Sequence, residues 1–126
     1  MVNMLAVALG AAIGANLRYG LTLWAAQRFG TSWPYGTFII NLLGCLVIGG
    51  LLSLATSRLT LTEPLRLLLV TGLLGGFTTF SSFGYESVSM INSGNWVGAG
   101  LYVGGSVLLG LGAVFLGAST MRWLAG

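Results

Sequence analysis

The sequence predicts an all-α membrane protein: four transmembrane helices in one small domain, the third of them broken. Three observations carry this. Hydrophobic residues make up 56% and charged residues only 6% of the 126 positions, with a mean hydropathy of +0.94, so the chain lacks the charge to dress a water-facing surface. Long apolar runs recur between short polar connections, each close to the roughly 20 residues that cross a hydrocarbon core about 30 Å thick, which leaves no length for a separate soluble domain. The third run also contains Gly75-Gly76-Phe77-Thr78-Thr79-Phe80-Ser81-Ser82-Phe83-Gly84. In hydrocarbon every freed backbone N–H and C=O must find a partner, so irregular chain survives there only against protein, an ion or water. That makes the stretch the first candidate for a functional site.

The first helix is expected over about 3–26. Met1-Val2-Asn3-Met4 has no positive charge and Arg18 interrupts the apolar run, so the segment reads as a retained helix and not a cleaved signal. Ala8, Gly10, Ala12 and Gly14 give it the small-xxx-small spacing of close helix contacts in lipid. After Arg28, Gly30 and Thr31-Ser32 mark a connection, and Pro34 suits the first turn of a second helix, expected over about 35–57. Thr37 and Asn41 lie four apart on one face of it, and Trp33 and Tyr35 fit an interfacial belt. The connection from Arg58 to Arg66 is the most polar, with Thr60, Thr62, Glu63 and Pro64. Thr62-Glu63-Pro64 reads as the cap and first turn of a third helix, about 65–90, with helix through Leu74 and a break near Gly75–Thr79 that opens at Gly75-Gly76. Asn92-Ser93-Gly94-Asn95 is a loop signal. The fourth helix, about 96–123, carries Tyr102 and Ser106 one turn apart.

Composition also excludes chemistry. There is no His and no Asp, the carboxylates are Glu63 and Glu86, and Cys45 is the single cysteine, which removes the Ser-His-Asp arrangement, clustered zinc ligands and internal disulfides. Cys45 lies in an apolar run with nothing basic near it and reads as a small buried hydrophobe, not a reactive thiol. The five arginines, Arg18, Arg28, Arg58, Arg66 and Arg122, are scattered, so no nucleic-acid surface is expected. Counted by side, Arg58, Arg66 and Arg122 oppose Arg28, a shallow positive-inside bias compatible with insertion in both orientations.

Polar residues at bilayer depth need partners. Arg18 suits either an anion-attracting vestibule or a structural role, capping carbonyls or pairing with Glu86. Asn41 suits an interhelical tie or an anion contact through its NH₂. Thr37, Ser82, Glu86, Tyr102 and Ser106 add hydroxyls and one carboxylate on other helices. Phe77, Phe80 and Phe83 share one helical face if the second half of helix three begins early, and ring edges carry positive quadrupole that can face a small anion. The glycine pair either lets two helices cross closely or frees carbonyls around Gly75 and Thr78 for a cation such as Na⁺. A proton-coupled exporter of lipophilic cations would need a carboxylate in the first helix, which has none. A structural subunit of a larger complex is the other alternative.

Three motifs then combine: Gly14-Ala15-Asn16-Leu17-Arg18; Trp33-Pro34-Tyr35-Gly36-Thr37 leading to Asn41-Leu42-Leu43-Gly44; and Thr71-Gly72-Leu73-Leu74-Gly75-Gly76-Phe77-Thr78-Thr79-Phe80-Ser81-Ser82-Phe83. In order and spacing, across the whole chain, they resemble the Fluc family of fluoride channels. The resemblance implies a multi-pass protein of the bacterial inner membrane that assembles in lipid as an antiparallel, dual-topology homodimer with two fluoride pathways along its interface. It passes fluoride passively out of the cell. By the same resemblance Phe80 and Phe83 match the pore phenylalanines and Asn41 the pore asparagine. Thr37, Ser82, Glu86, Tyr102 and Ser106 match a polar track beside the rings, and Arg18 the arginine of the first helix. The carbonyls of Gly75 and Thr78, from both subunits, match a central structural Na⁺ site. The chain departs from the family pattern at Gly110, where a second serine is common one turn beyond Ser106.

Overall fold

A computed structural model describes residues 1–57 and 61–125. Among these it gives helices α1 (Val2–Phe29), α2 (Tyr35–Ser57), α3 (Glu63–Arg66), a π-helix (Leu67–Leu74), α4 (Gly75–Phe77), α5 (Phe80–Asn92) and α6 (Trp96–Ala125). The elements α3 to α5 form one interrupted crossing, so four segments are long and apolar enough to span a membrane. The chain is a multi-pass membrane protein. Arg58 and Thr60 lie outside the described residues.

The helix ends follow local chemistry. Gly30 closes α1 with φ 81°, a left-handed conformation that favours glycine, and its N–H reaches the Ala26 carbonyl at 2.9 Å. Pro34 precedes α2 instead of starting it; its carbonyl accepts from Phe38 N at 3.1 Å. Thr62 stands at the N-cap of α3 but its side chain makes no cap bond, whereas Asn95 caps α6 by accepting from Gly98 N at 2.9 Å.

The bundle is two parallel pairs. α1 packs along the third crossing and α2 along α6, and each seam is made where backbone meets backbone. A Cβ at Gly10 would overlap the Leu68 carbonyl oxygen and lie 2.8 Å from Leu73 N. One at Gly117 would overlap the Leu46 carbonyl oxygen. Without a hydrophobic force between helices in lipid, close approach of this kind supplies the packing energy. Asn3 Nδ2 donates to Glu63 Oε1 at 3.1 Å and ties the start of α1 to the start of α3.

The third crossing departs from expectation in two ways. The run from Leu67 to Leu74 is π-helical, and Gly75 and Gly76 remain inside helix, Gly75 at φ −63°, ψ −35°. The break falls at the end of the expected stretch, at Thr78 (φ −81°, ψ 158°) and Thr79 (φ −150°, ψ 117°), both extended. Of the two roles open to the glycine pair, Gly76 takes close crossing: a Cβ there would lie 2.6 Å from the Ala11 carbonyl oxygen. Phe77 therefore precedes the break and does not share a helical face with Phe80 and Phe83.

Candidate functional site

The break is held by its own hydroxyl and by a neighbour's amide. Thr79 begins α5 as its N-cap: its Oγ1 accepts from Ser82 N at 3.3 Å and donates to Ser82 Oγ at 3.1 Å. Across from it on α2, Asn41 Nδ2 donates to the Thr79 carbonyl at 3.1 Å, and Thr79 N donates to Asn41 Oδ1 at 2.9 Å. One primary amide thus satisfies both polar groups of an extended residue, as a paired strand would. In an unbroken helix Thr79 N–H would bond to the Gly75 carbonyl. Its diversion to Asn41 releases that carbonyl, and the extended Thr78 turns another out of the helical ladder.

Between α2, the broken crossing and α6 lies a cleft of about 440 Å³. Asn41, Thr78, Thr79, Phe80, Phe83 and Ser106 line it, together with Gly75 and Cys45. The Phe80 and Phe83 rings are 5.6 Å apart, centre to centre, at 39°. Phe80 is 84% exposed, while Phe83 packs on Tyr102 at 5.2 Å. The Ser106 hydroxyl oxygen is enclosed and has no hydrogen-bond partner among the described residues. A buried hydroxyl without a partner is costly, and such a group in a cleft wall marks a place for a polar guest.

One turn away, a second cluster closes on Glu86. Thr37 Oγ1 donates to Glu86 Oε1 at 2.7 Å and Tyr102 OH to Glu86 Oε2 at 2.6 Å. Tyr102 is fully buried and wedged by Trp33 and Phe83 rings, so the carboxylate is gripped by a hydroxyl on each flanking helix. Thr37 and Glu86 also line a hollow of about 380 Å³ that opens between the 30–34 and 93–95 loops.

The residues singled out in the sequence therefore divide. Asn41, Phe80, Phe83, Ser106, Gly75 and Thr78 meet in the cleft, and Thr37, Glu86 and Tyr102 form the hydrogen-bonded cluster beside it. Ser82 serves the cap of α5 and lines neither concavity. Arg18 stands apart, half-buried on α1, its carbonyl accepting from Thr22 Oγ1 at 2.9 Å; hydroxyls, not Arg18, occupy both Glu86 oxygens. Sequence reasoning passed over Thr79 as a cap, although threonine is among the residues favoured at a helix N-cap. It also left Cys45 as core, whereas the residue lines the cleft.

The family model described as CrcB-like protein, Camphor Resistance (CrcB), matches residues 5–118. The chain belongs to the CrcB-like family. A fluoride-specific ion channel FluC of Chloroflexus aurantiacus is 71% identical over 126 residues, all of both chains. The protein of the same name from Roseiflexus sp. is 58% identical over 98% of this chain and 99% of its own. That from Rhizobium etli is 45% identical over 98% and 99%. These CrcB-like relatives are named as ion channels and not as enzymes, and they meet the resemblance carried by the three motifs.

Proposed function

We propose that the protein is a fluoride-selective channel that exports F⁻ passively down its electrochemical gradient across the bacterial inner membrane. The observation that carries this is the cleft itself: Ser106, whose enclosed hydroxyl has no partner among the described residues, lines the same space as Asn41 and the paired rings of Phe80 and Phe83. Fluoride is small and tightly hydrated, so a path must replace its water with donors while holding it weakly enough to release it. Asn41 carries two amide hydrogens and spends one on Thr79; Ser106 offers a hydroxyl; the ring edges offer weak positive quadrupole. Phe80 to Phe83 form the first turn of α5, whose positive dipole end also favours an anion. The names of the CrcB-like relatives support the same ion.

In this reading the exposed Phe80 face is covered by a second copy inserted in the opposite orientation, and two such paths run along the interface of the antiparallel homodimer. The charge bias is shallow enough to be compatible with insertion in both orientations. Thr37, Glu86 and Tyr102 continue the polar lining toward the loop-side hollow, and Arg18 draws anions toward the entrance. The released carbonyls of Gly75 and Thr78 fit a structural Na⁺ at the dimer centre, because a hard cation takes oxygen ligands. Bound there, Na⁺ would draw together the carbonyl dipoles of the two breaks.

Fluoride efflux from liposomes, followed with a fluoride electrode beside a chloride control, tests the reading. Rapid loss of fluoride with chloride retained is expected; liposomes no leakier than empty ones would refute it.

A further inference from the structure

α2 and α6 run parallel in strict register. Ser53 Oγ donates to the Ala118 carbonyl at 3.2 Å, 65 residues on, and the same offset pairs Thr37 with Tyr102, Asn41 with Ser106 and Cys45 with Gly110. Each pair lies one turn beyond the last on both helices, so they form successive layers. The first grips Glu86 through two hydroxyls. The second holds Asn41 and Ser106, both of which line the cleft, the Ser106 oxygen enclosed and without a partner among the described residues. In the third, α6 contributes no side chain, and a Cβ placed on Gly110 would lie 3.5 Å from Cys45 Sγ, ordinary contact. The thiol faces the position where α6 has no side chain, and Cys45 lines the same cleft as Ser106.

We propose that Cys45 is the third polar step of the anion path, its S–H following Asn41 and Ser106 and lining the cleft at a level where α6 offers nothing. This rests on reading the cleft as the fluoride path. A thiol is a weak donor, which suits the last site before an ion leaves: it holds the anion less firmly than a hydroxyl. It also makes the path open to soft-metal chemistry at one atom, because the chain has a single cysteine. With methylmercury chloride the S–H bond breaks, an S–Hg bond forms, chloride leaves the mercury and the proton passes to water.

Fluoride efflux is measured from liposomes before and after methylmercury chloride, with mass spectrometry of the same protein to count adducts. Wild-type flux should fall by about tenfold or more, since a filled site stops conduction, and dithiothreitol should restore it. Cys45→Ser should conduct and resist the reagent. Cys45→Ala should lose flux several-fold at unchanged melting temperature, and Gly110→Ser in that background should recover it by supplying a hydroxyl from the other helix. Full flux in a protein carrying the adduct would overturn the proposal. So would a thiol that reacts in SDS and not in the liposome. Absence of flux before any reagent is added would instead overturn the fluoride reading, and this inference with it.

Discussion

Asn41 and Thr79 exchange two hydrogen bonds, at 3.1 and 2.9 Å, between one side-chain amide and one backbone residue. The pair fixes which way the Asn41 amide faces, because only its oxygen can accept from Thr79 N and only its nitrogen can donate to the carbonyl. It also leaves one amide hydrogen uncommitted.

Asn41→Ala would strip both partners from Thr79. A buried group left unpaired costs about 1–3 kcal/mol, so two should lower stability on the order of 2–6 kcal/mol, and flux should vanish with it. Asn41→Asp keeps the acceptor and sets an oxygen against the Thr79 carbonyl, with an intermediate loss. Thermal unfolding in detergent measures both; an unchanged midpoint in Asn41→Ala would show that the amide does not hold the break.

The two phenylalanines should separate stability from conduction. Phe80 is 84% exposed within its own chain and Ile conserves apolar volume at the face a second copy would cover, so Phe80→Ile should leave unfolding nearly unchanged while sharply lowering fluoride flux through loss of the ring edge. Phe83→Ile also loses its contact with Tyr102, worth roughly 0.5–1.5 kcal/mol, and should melt earlier as well. Wild-type flux in both would remove the rings from the path.

Tyr102→Phe should leave Glu86 Oε2 without its donor and cost roughly 1–3 kcal/mol. Thr37→Val should do the same at Oε1, and the double variant should fall short of the sum, because both act on one carboxylate. Additive losses in a double-mutant cycle would mean that the two hydroxyls act independently.

Replacing Na⁺ by a larger monovalent cation throughout purification should weaken assembly and flux, if the carbonyls of Gly75 and Thr78 hold a structural ion. Size-exclusion profiles with elemental analysis check this. Unchanged behaviour with no bound Na⁺ would dismiss the site.

The spans were legible because lipid imposes length and apolarity on each crossing, and α2 begins and ends at the expected residues, Tyr35 and Ser57. The break was expected near Gly75–Thr79 and falls at the end of that stretch, at Thr78 and Thr79 and not at the glycine pair. Gly75 and Gly76 weaken an isolated helix, but here Gly76 sits against α1, whose backbone approaches too closely for any side chain there, and tertiary contact outweighs propensity. The π-helix left no trace, since a leucine-rich run such as Leu67 to Leu74 reads as ordinary helix. Residue types in the site were visible as polar groups at bilayer depth; their pairings were not. Glu86 could have met Arg18, and only the register of α2 on α6 assigns it to Thr37 and Tyr102.

The π-helix also sets a phase. Its i→i+5 bonding fits about one residue more into the turn than an α-helix holds, and an α-helix advances about 100° per residue; if Leu67 to Leu74 kept every residue and relaxed to α-helix, everything downstream would swing by about that angle. Thr79 would leave Asn41, and the Phe80 ring would point away from the cleft with every cleft-lining residue still present. In this crossing the widened turn works as an angular setting, and tightening it far from the cleft would disable the cleft as surely as a change within.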